Sequence, residues 1–146
     1  MTTETYNYIQ KTAEIAINYC GFVPKTLDEI KKCLEMLHGE LEEVEMMDVT
    51  VDGMVAKTPD DGFVIRLPKQ MDDDRKLFFI AKGIGHAFMH LNYDVAQKNA
   101  NWLFMQEHFF YTLPAEAHDQ AHEFAHAFLK DGKSKYKVPE ARKEHA

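Results

Sequence analysis

The sequence predicts a single α+β domain in which a small antiparallel sheet packs against helices. Its 146 residues have the length of one domain. Apolar residues recur at three- and four-residue spacing in the N-terminal and C-terminal parts, which is typical of amphipathic helices. Between residues 44 and 67 they instead alternate with polar residues, which is typical of strands. Helices on both sides of a block of strands indicate an α+β fold.

Two helices are predicted to come first. One covers about residues 4–20, where five apolar residues share a face: Tyr6, Ile9, Ala13, Ile17 and Cys20. Gly21 can adopt the left-handed conformation that ends a helix. The next helix begins after Thr26, because Thr26 and Glu29 have the spacing of a capping box, and Gly39 closes it.

Three strands are predicted to follow, over about residues 44–51, 54–56 and 63–67. Turns at Asp52-Gly53 and Pro59–Gly62 join them. Because such short turns connect neighbouring strands in opposite directions, the sheet is expected to be antiparallel. The acidic run just before it, Glu40–Glu43, is interpreted as a solvated edge.

The C-terminal half is predicted to be helical. One helix runs from about Arg75 to Leu91 behind an acidic cap at residues 72–74, and a segment over about residues 95–110 continues the pattern. Pro114 suits the first turn of a last helix that ends near residue 131. We therefore expect one domain over residues 1–132, followed by a charged, mobile tail over residues 133–146, which lacks an apolar period.

Charge and cysteine content narrow the possible functions. The net charge of −7 disfavours direct binding to nucleic acid or to an anionic membrane, because both need clustered Lys and Arg. The N-terminus lacks the basic and apolar regions of a signal peptide, and no apolar stretch has the length of a membrane span. Cys20 and Cys33 are expected to be reduced thiols, which fits a cytoplasmic protein.

The helix at 75–91 carries unusual residues opposite its apolar face. Lys82, His86 and His90 lie one turn apart on that second face, where a surface helix would carry solvated charges. The sequence therefore predicts a helix buried on both sides, with Lys82 and the histidines lining a cleft. Gly83 and Gly85 each destabilise a helix by about 1 kcal/mol relative to alanine. Their presence indicates that another part of the protein approaches the helix backbone closely there.

The last helix carries three more histidines at four-residue spacing. His118 is predicted to lie at the edge of the apolar face, His122 farther toward solvent, and His126 in solvent. His86 with His90, and His118 with His122, are pairs one turn apart, so they could bind a transition metal. The alternative for His90 is an ordinary core histidine that forms a hydrogen bond with the backbone.

Two segments of this chain resemble the ImmA/IrrE family of small zinc metallopeptidases. Residues 75–90 read RKLFFIAKGIGHAFMH, against a family pattern of roughly R-x-x-F-x-x-A-H-E-x-G-H-x-x-x-H. Residues 118–129 read HDQAHEFAHAFL, against E-x-x-A-x-x-F-A-x-x-L-L. The segment from Gly21 to Leu37 also resembles the family's lead-in. The resemblance spans most of residues 5–130 and implies a minimal zincin-like metallopeptidase core.

Carried over position by position, the resemblance implies that most of the zinc machinery has been replaced. The first ligand position holds Lys82, the general-base position holds Gly83, and the third ligand position holds His118. Only His86 is kept. An ammonium has no lone pair to bind zinc, and a glycine cannot take a proton from water. The Lys82 ammonium could instead occupy the place of the metal and donate to His86, His118 or Glu116.

The expected function is therefore that of a pseudo-protease. Such a protein would bind a partner without cleaving it, and the family implies a DNA-binding repressor of a phage or mobile element as that partner. The alternative is a zinc endopeptidase with an altered ligand set: His86, His118 and either His122 or His90, with Glu116 or Glu123 as base. The pseudo-protease would need no cofactor, and the endopeptidase would bind one zinc ion. A toxin or anti-defence protein that borrowed the fold is a third possibility.

Overall fold

The computed structural model describes residues 1–45, 53–60, 62–91, 106–108 and 115–131. These residues form four helices and four strands. In chain order they are α1 (Thr3–Cys20), α2 (Leu27–Met36), β1 (Gly39–Val44), β2 (Met54–Lys57), β3 (Phe63–Pro68), α3 (Asp73–Met89), β4 (Gln106–His108) and α4 (Ala115–Leu129). The α+β class predicted from the sequence is confirmed.

Local signals fix the helix ends. The Thr26 hydroxyl accepts a hydrogen bond from the Glu29 N–H at 3.2 Å, as the capping box predicts. The Glu29 carboxylate reaches back to the N–H of Lys25 at 2.7 Å, one residue before the cap. Gly21 ends α1 with a φ of 89°, the left-handed conformation that glycine adopts without strain. The two predicted N-terminal helices are therefore confirmed. The second ends at Met36, and Gly39, which was predicted to close it, begins β1 instead.

The sheet is mixed, so the prediction of an antiparallel sheet was wrong for its first strand. The strand order is β1-β3-β2-β4; β1 runs parallel to β3, and β2 runs antiparallel to both β3 and β4. A tight turn joins β2 to β3, closed by a 3.0 Å hydrogen bond from the Thr58 N–H to the Gly62 carbonyl. Since β2 covers one edge of β3, β1 pairs with the other edge.

Two predicted boundaries also differ from the structure. The acidic run at residues 40–43 lies within β1, which begins at Gly39, so the first strand starts earlier than its apolar pattern indicated. Residues 106–108, predicted to be helical, form β4 and pair with residues 54–56 of β2. Pairing with an open strand edge outweighs the local helical pattern there. The predictions for residues 46–52, 61, 92–105, 109–114 and 132–146 lie outside the described residues.

Helix α3 is the centre of the domain. It packs against the sheet on one side and against α4 on the other, while α1 covers the far side of α4. Every residue from Ala81 to Phe88 is buried, which confirms that the helix is buried on both sides. Phe88 contacts Phe63 of β3 and Phe124 of α4 edge to face, each with ring centroids 6.3 Å apart. These aromatic contacts join the sheet to α4 through α3.

Gly85 allows α4 to approach α3 closely. A Cβ atom built on Gly85 would lie 2.8 Å from Cδ1 and 3.0 Å from Cβ of Phe124, closer than carbon atoms pack. Phe124 is itself fully buried and stacks on Phe128, so it has little room to move. The sequence predicted a close approach at this glycine, and the structure identifies Phe124 as the approaching residue.

We predict that Gly85→Ala destabilises the protein. Alanine favours a helix over glycine by about 1 kcal/mol, but overpacking costs about 1–3 kcal/mol, so the net loss should be about 1 kcal/mol. Denaturant unfolding of the two proteins measures it. In a Phe124→Ala background, which removes the nearest ring atoms, the same change should become neutral or stabilising. A stabilising Gly85→Ala in the natural background would contradict this packing.

Candidate functional site

Four histidines from two helices come together where α3 packs on α4. This histidine cluster consists of His86 and His90 from α3 and His118 and His122 from α4. The His86 ring lies perpendicular to that of His118, with centroids 6.0 Å apart, and 4.9 Å from that of His90. Phe78 packs beside the cluster, 5.0 Å from the His122 ring. The i,i+4 spacing on each helix explains why each pair shares a face.

A directional chain of hydrogen bonds runs from the surface of α4 into the cluster. The Gln120 amide nitrogen donates to Glu116 Oε1 at 3.4 Å, so its oxygen faces His90. His90 Nε2–H therefore donates to that oxygen at 2.8 Å, which leaves a lone pair on His90 Nδ1. His86 Nδ1–H donates to this lone pair at 2.8 Å. With both rings neutral, these contacts assign each histidine its tautomer.

His86 is consequently a neutral imidazole with its proton on Nδ1 and its lone pair on Nε2, a buried atom. Its pKa is lowered to about 2, first by burial and then by the charges of its neighbours, of which His90 is the largest and Lys82 the next. Burial also lowers the pKa of His90, and the bond to Gln120 partly offsets that effect. Both rings are held neutral in the physiological range.

Lys82 is buried, as the sequence predicted. It is 2% exposed, and its ammonium lies over the Phe79 ring, 5.5 Å from the centroid. A cation in this position is stabilised by the face of the ring. Its charge contributes to the lowered pKa of His86. A positive charge therefore lies beside the histidine that would have to bind a second cation.

Gly83, at the position expected for the general base, faces the sheet. A Cβ atom there would lie 2.6 Å from Cδ1 and 2.9 Å from Cγ1 of Ile65, a fully buried residue of β3. Helix α3 therefore packs closely on the Ile65 side chain. A glutamate at position 83 would require this side chain to move.

The two glutamates considered as alternative bases lie apart from the cluster core. Glu116 is exposed in the first turn of α4 and contacts the cluster only through Gln120. Glu123 is 3% exposed and accepts a 3.4 Å hydrogen bond from Gln10 of α1. It therefore faces α1, on a different side of α4 from the histidines, as the sequence predicted.

His126 was predicted to be exposed, and this prediction was wrong. Its side chain is only 10% exposed and lies 2.9 Å from the Asp131 carboxylate, with its ring centroid 5.0 Å from that of Phe78. The chain turns back at Lys130, which has a φ of 48°, and this turn brings Asp131 to His126. Helical periodicity places a side chain on a face but does not show a later segment that covers it.

The donor set does not fit a zincin-type zinc site. Within the part of the chain that the structure describes, no group of three or more His, Cys, Asp or Glu side chains could hold a metal ion. His86 and His90 bond to each other through their Nδ1 atoms instead of converging on a common point. Gln120, which orients His90, was missed because no sequence pattern groups it with the histidines.

Known proteins provide no identification of this site. The chain matches no protein family, no curated protein and no solved structure. None of the helices described combines the length and apolar character needed to cross a bilayer.

We predict that the neutral, buried histidines make stability depend on pH. Because folding lowers the pKa of His86 and His90 below 6.5, the unfolded chain binds more protons at acidic pH. Their stabilising contribution is complete above pH 6.5 and is lost as the pH falls below it, by at most about 1.4 kcal/mol per pH unit for each histidine. Denaturant unfolding between about pH 5 and 7.5 measures this slope.

The matched variants are His86→Asn and His38→Asn. Asparagine can donate to His90 in place of Nδ1–H but does not titrate, so His86→Asn should have a shallower slope than the natural protein. His38 is exposed and has a φ of 66°, which asparagine also adopts, so its replacement is the control for loss of a histidine outside the cluster. Equal slopes in all three proteins would show that His86 is not buried in the neutral form.

Proposed function

We propose that this chain is a non-catalytic relative of the ImmA/IrrE metallopeptidases that acts by binding another protein. The contact between Gly83 and Ile65 carries the proposal. At the position where the family places its general base, the carboxylate is absent, and a side chain there would require Ile65 of the sheet to move. General-base catalysis contributes about 10²–10⁴-fold to a reaction, and this chain has no group placed to supply it at that position.

The electrostatics of the cluster support the same proposal. The buried Lys82 ammonium supplies a positive charge where the family binds zinc, and it makes a second cation beside His86 unfavourable. In this proposal Lys82 takes over the charge of the metal. The bonds from His86 through His90 to Gln120 then hold α3 and α4 together without a metal.

The family resemblance suggests the class of partner. Its members act on DNA-binding repressors of phages and mobile elements, and this cytoplasmic protein would bind such a repressor without cleaving it. A net charge of −7 argues against direct contact with DNA, so any effect on transcription would pass through the partner.

The alternative is a metallopeptidase with an altered ligand set. One observation favours it: His86 and His118 occupy the second and third ligand positions and their ring centroids are 6.0 Å apart. A metal held by both would be bound by His86 Nε2, because His86 Nδ1 bonds to His90.

Metal content distinguishes the two functions. We expect protein purified without a tag to contain substoichiometric zinc, manganese and iron by mass spectrometry, and His86→Ala to contain the same amount. His38→Asn serves as the control for loss of an exposed histidine. About one equivalent of metal that disappears only in His86→Ala, together with cleavage of a repressor, would establish the metallopeptidase instead.

A further inference from the structure

The only two cysteines of the chain meet between α1 and α2. Cys20 is the last residue of α1, and Cys33 lies in the second half of α2. The Cys20 thiol donates to the Cys33 carbonyl oxygen at 3.9 Å, and the Cys33 thiol donates to the Cys20 sulfur. Buried free cysteines often serve as small apolar residues, which need not meet. Here each thiol is instead within reach of the other.

The two thiols are not equivalent. Cys33 is fully buried, whereas Cys20 is 6% exposed and precedes Gly21, which is exposed. The hydrogen bond from Cys33 lowers the pKa of Cys20, and burial opposes that effect. The same hydrogen bond, together with burial, raises the pKa of Cys33. Because the thiolate is the nucleophilic form of cysteine, Cys20 is the sulfur that ionises first and that a small reagent meets first.

The carboxyl end of α1 limits the reactivity of Cys20. The helix dipole places partial negative charge at this end, which disfavours a thiolate there. Low-pKa cysteines of redox proteins commonly lie at helix N-termini instead. We therefore expect Cys20 to react slowly, and at a mildly alkaline pH where ordinary thiols also begin to ionise.

A bond between the two sulfur atoms would join parts of the domain that are otherwise connected indirectly. Helix α1 packs mainly on α4, and α2 packs mainly on α3 and β1, so α1 and α2 contact each other little. The two cysteines are 13 positions apart in the chain. A disulfide that closes such a loop restricts the unfolded chain and so stabilises the folded state. Oxidation is therefore expected to stabilise this protein.

We propose that Cys20 and Cys33 form a reversible disulfide when a peroxide oxidises the protein, with Cys20 reacting first and Cys33 resolving it. The Cys20 thiolate attacks one oxygen of hydrogen peroxide and the O–O bond breaks. Hydroxide leaves with the proton that Cys20 released, and Cys20 becomes a sulfenic acid. The Cys33 sulfur then attacks the Cys20 sulfur, the S–O bond breaks, and the hydroxyl group leaves as water with the Cys33 proton. The two thiols lose two electrons, and the peroxide becomes two waters.

Mass spectrometry of the full chain treated with hydrogen peroxide at about pH 8 tests the modification. After denaturation and alkylation, we expect a monomer without free thiols, in which the peptides of Cys20 and Cys33 are joined. Dithiothreitol should restore both thiols. Because the chain has two cysteines, an intramolecular disulfide can only be this one. Thiols that remain free, irreversible sulfinic acid, or a disulfide between two copies of the chain would overturn the inference.

The matched variants Cys33→Ser and Cys20→Ser test the order of the steps. Serine retains a hydroxyl donor in place of the Cys33 thiol, so Cys33→Ser should accumulate sulfenic acid at Cys20, which dimedone labels. Cys20→Ser should be labelled about tenfold less, because Cys33 is fully buried. Equal labelling, or stronger labelling of Cys20→Ser, would contradict the assigned order. Circular dichroism checks that both variants are folded.

Two measurements on the natural protein show whether the disulfide forms in the folded state. Its rate of formation should stay nearly constant in urea below the unfolding transition. The oxidised protein should melt about 5–10 °C above the reduced protein. A rate that rises with the unfolded fraction, or an oxidised protein that melts no higher, would overturn the inference, because the disulfide would then not belong to this fold.

Discussion

The packing of α3 between the sheet and α4 is the constraint on which the rest of the structure depends. Two glycines set its distances: Gly83 lets the helix rest on Ile65 of β3, and Gly85 lets Phe124 of α4 rest on the helix. A side chain at either position would push one layer away. Because both layers are close, Lys82 and His86 are buried, and their chemistry follows from that burial.

Burial explains the protonation of the histidine cluster. His86 and His90 are neutral because charged imidazoles would lose their hydration, and the Lys82 ammonium nearby contacts the face of the Phe79 ring. His90 bonds to His86 within α3 and to Gln120 of α4, so this chain of hydrogen bonds joins the two helices.

The sequence predicts the helices well because their signals are local. The apolar period of α1, the capping box at Thr26 and the two glycines of α3 are each contained within a few residues. Even the burial of α3 on both faces could be inferred, since Lys82 and His86 stand where solvated charges would otherwise be expected. Local patterns were sufficient because helix hydrogen bonds and caps join residues close in sequence.

What the sequence did not predict depends on contacts between distant segments. β2 occupies one edge of β3, so β1 pairs with the other edge and runs parallel to it. β4 forms by pairing with β2, a strand about 50 residues earlier in the chain. His126 is covered by Asp131 after a turn that periodicity cannot show. Gln120 meets His90 only because of how α4 is oriented against α3, and the sequence of one helix does not show that orientation.

The most direct test of the central claim is to introduce the two residues that the proposed family relationship requires, as Lys82→His with Gly83→Glu, and to measure the free energy of unfolding and zinc binding. If α3 is packed as described, the new side chain displaces Ile65 and the free energy of unfolding falls by about 1–3 kcal/mol. No peptidase activity then appears. A variant that keeps its stability, binds one zinc ion and gains peptidase activity would contradict the claim, because it would show that the site needs only its missing residues.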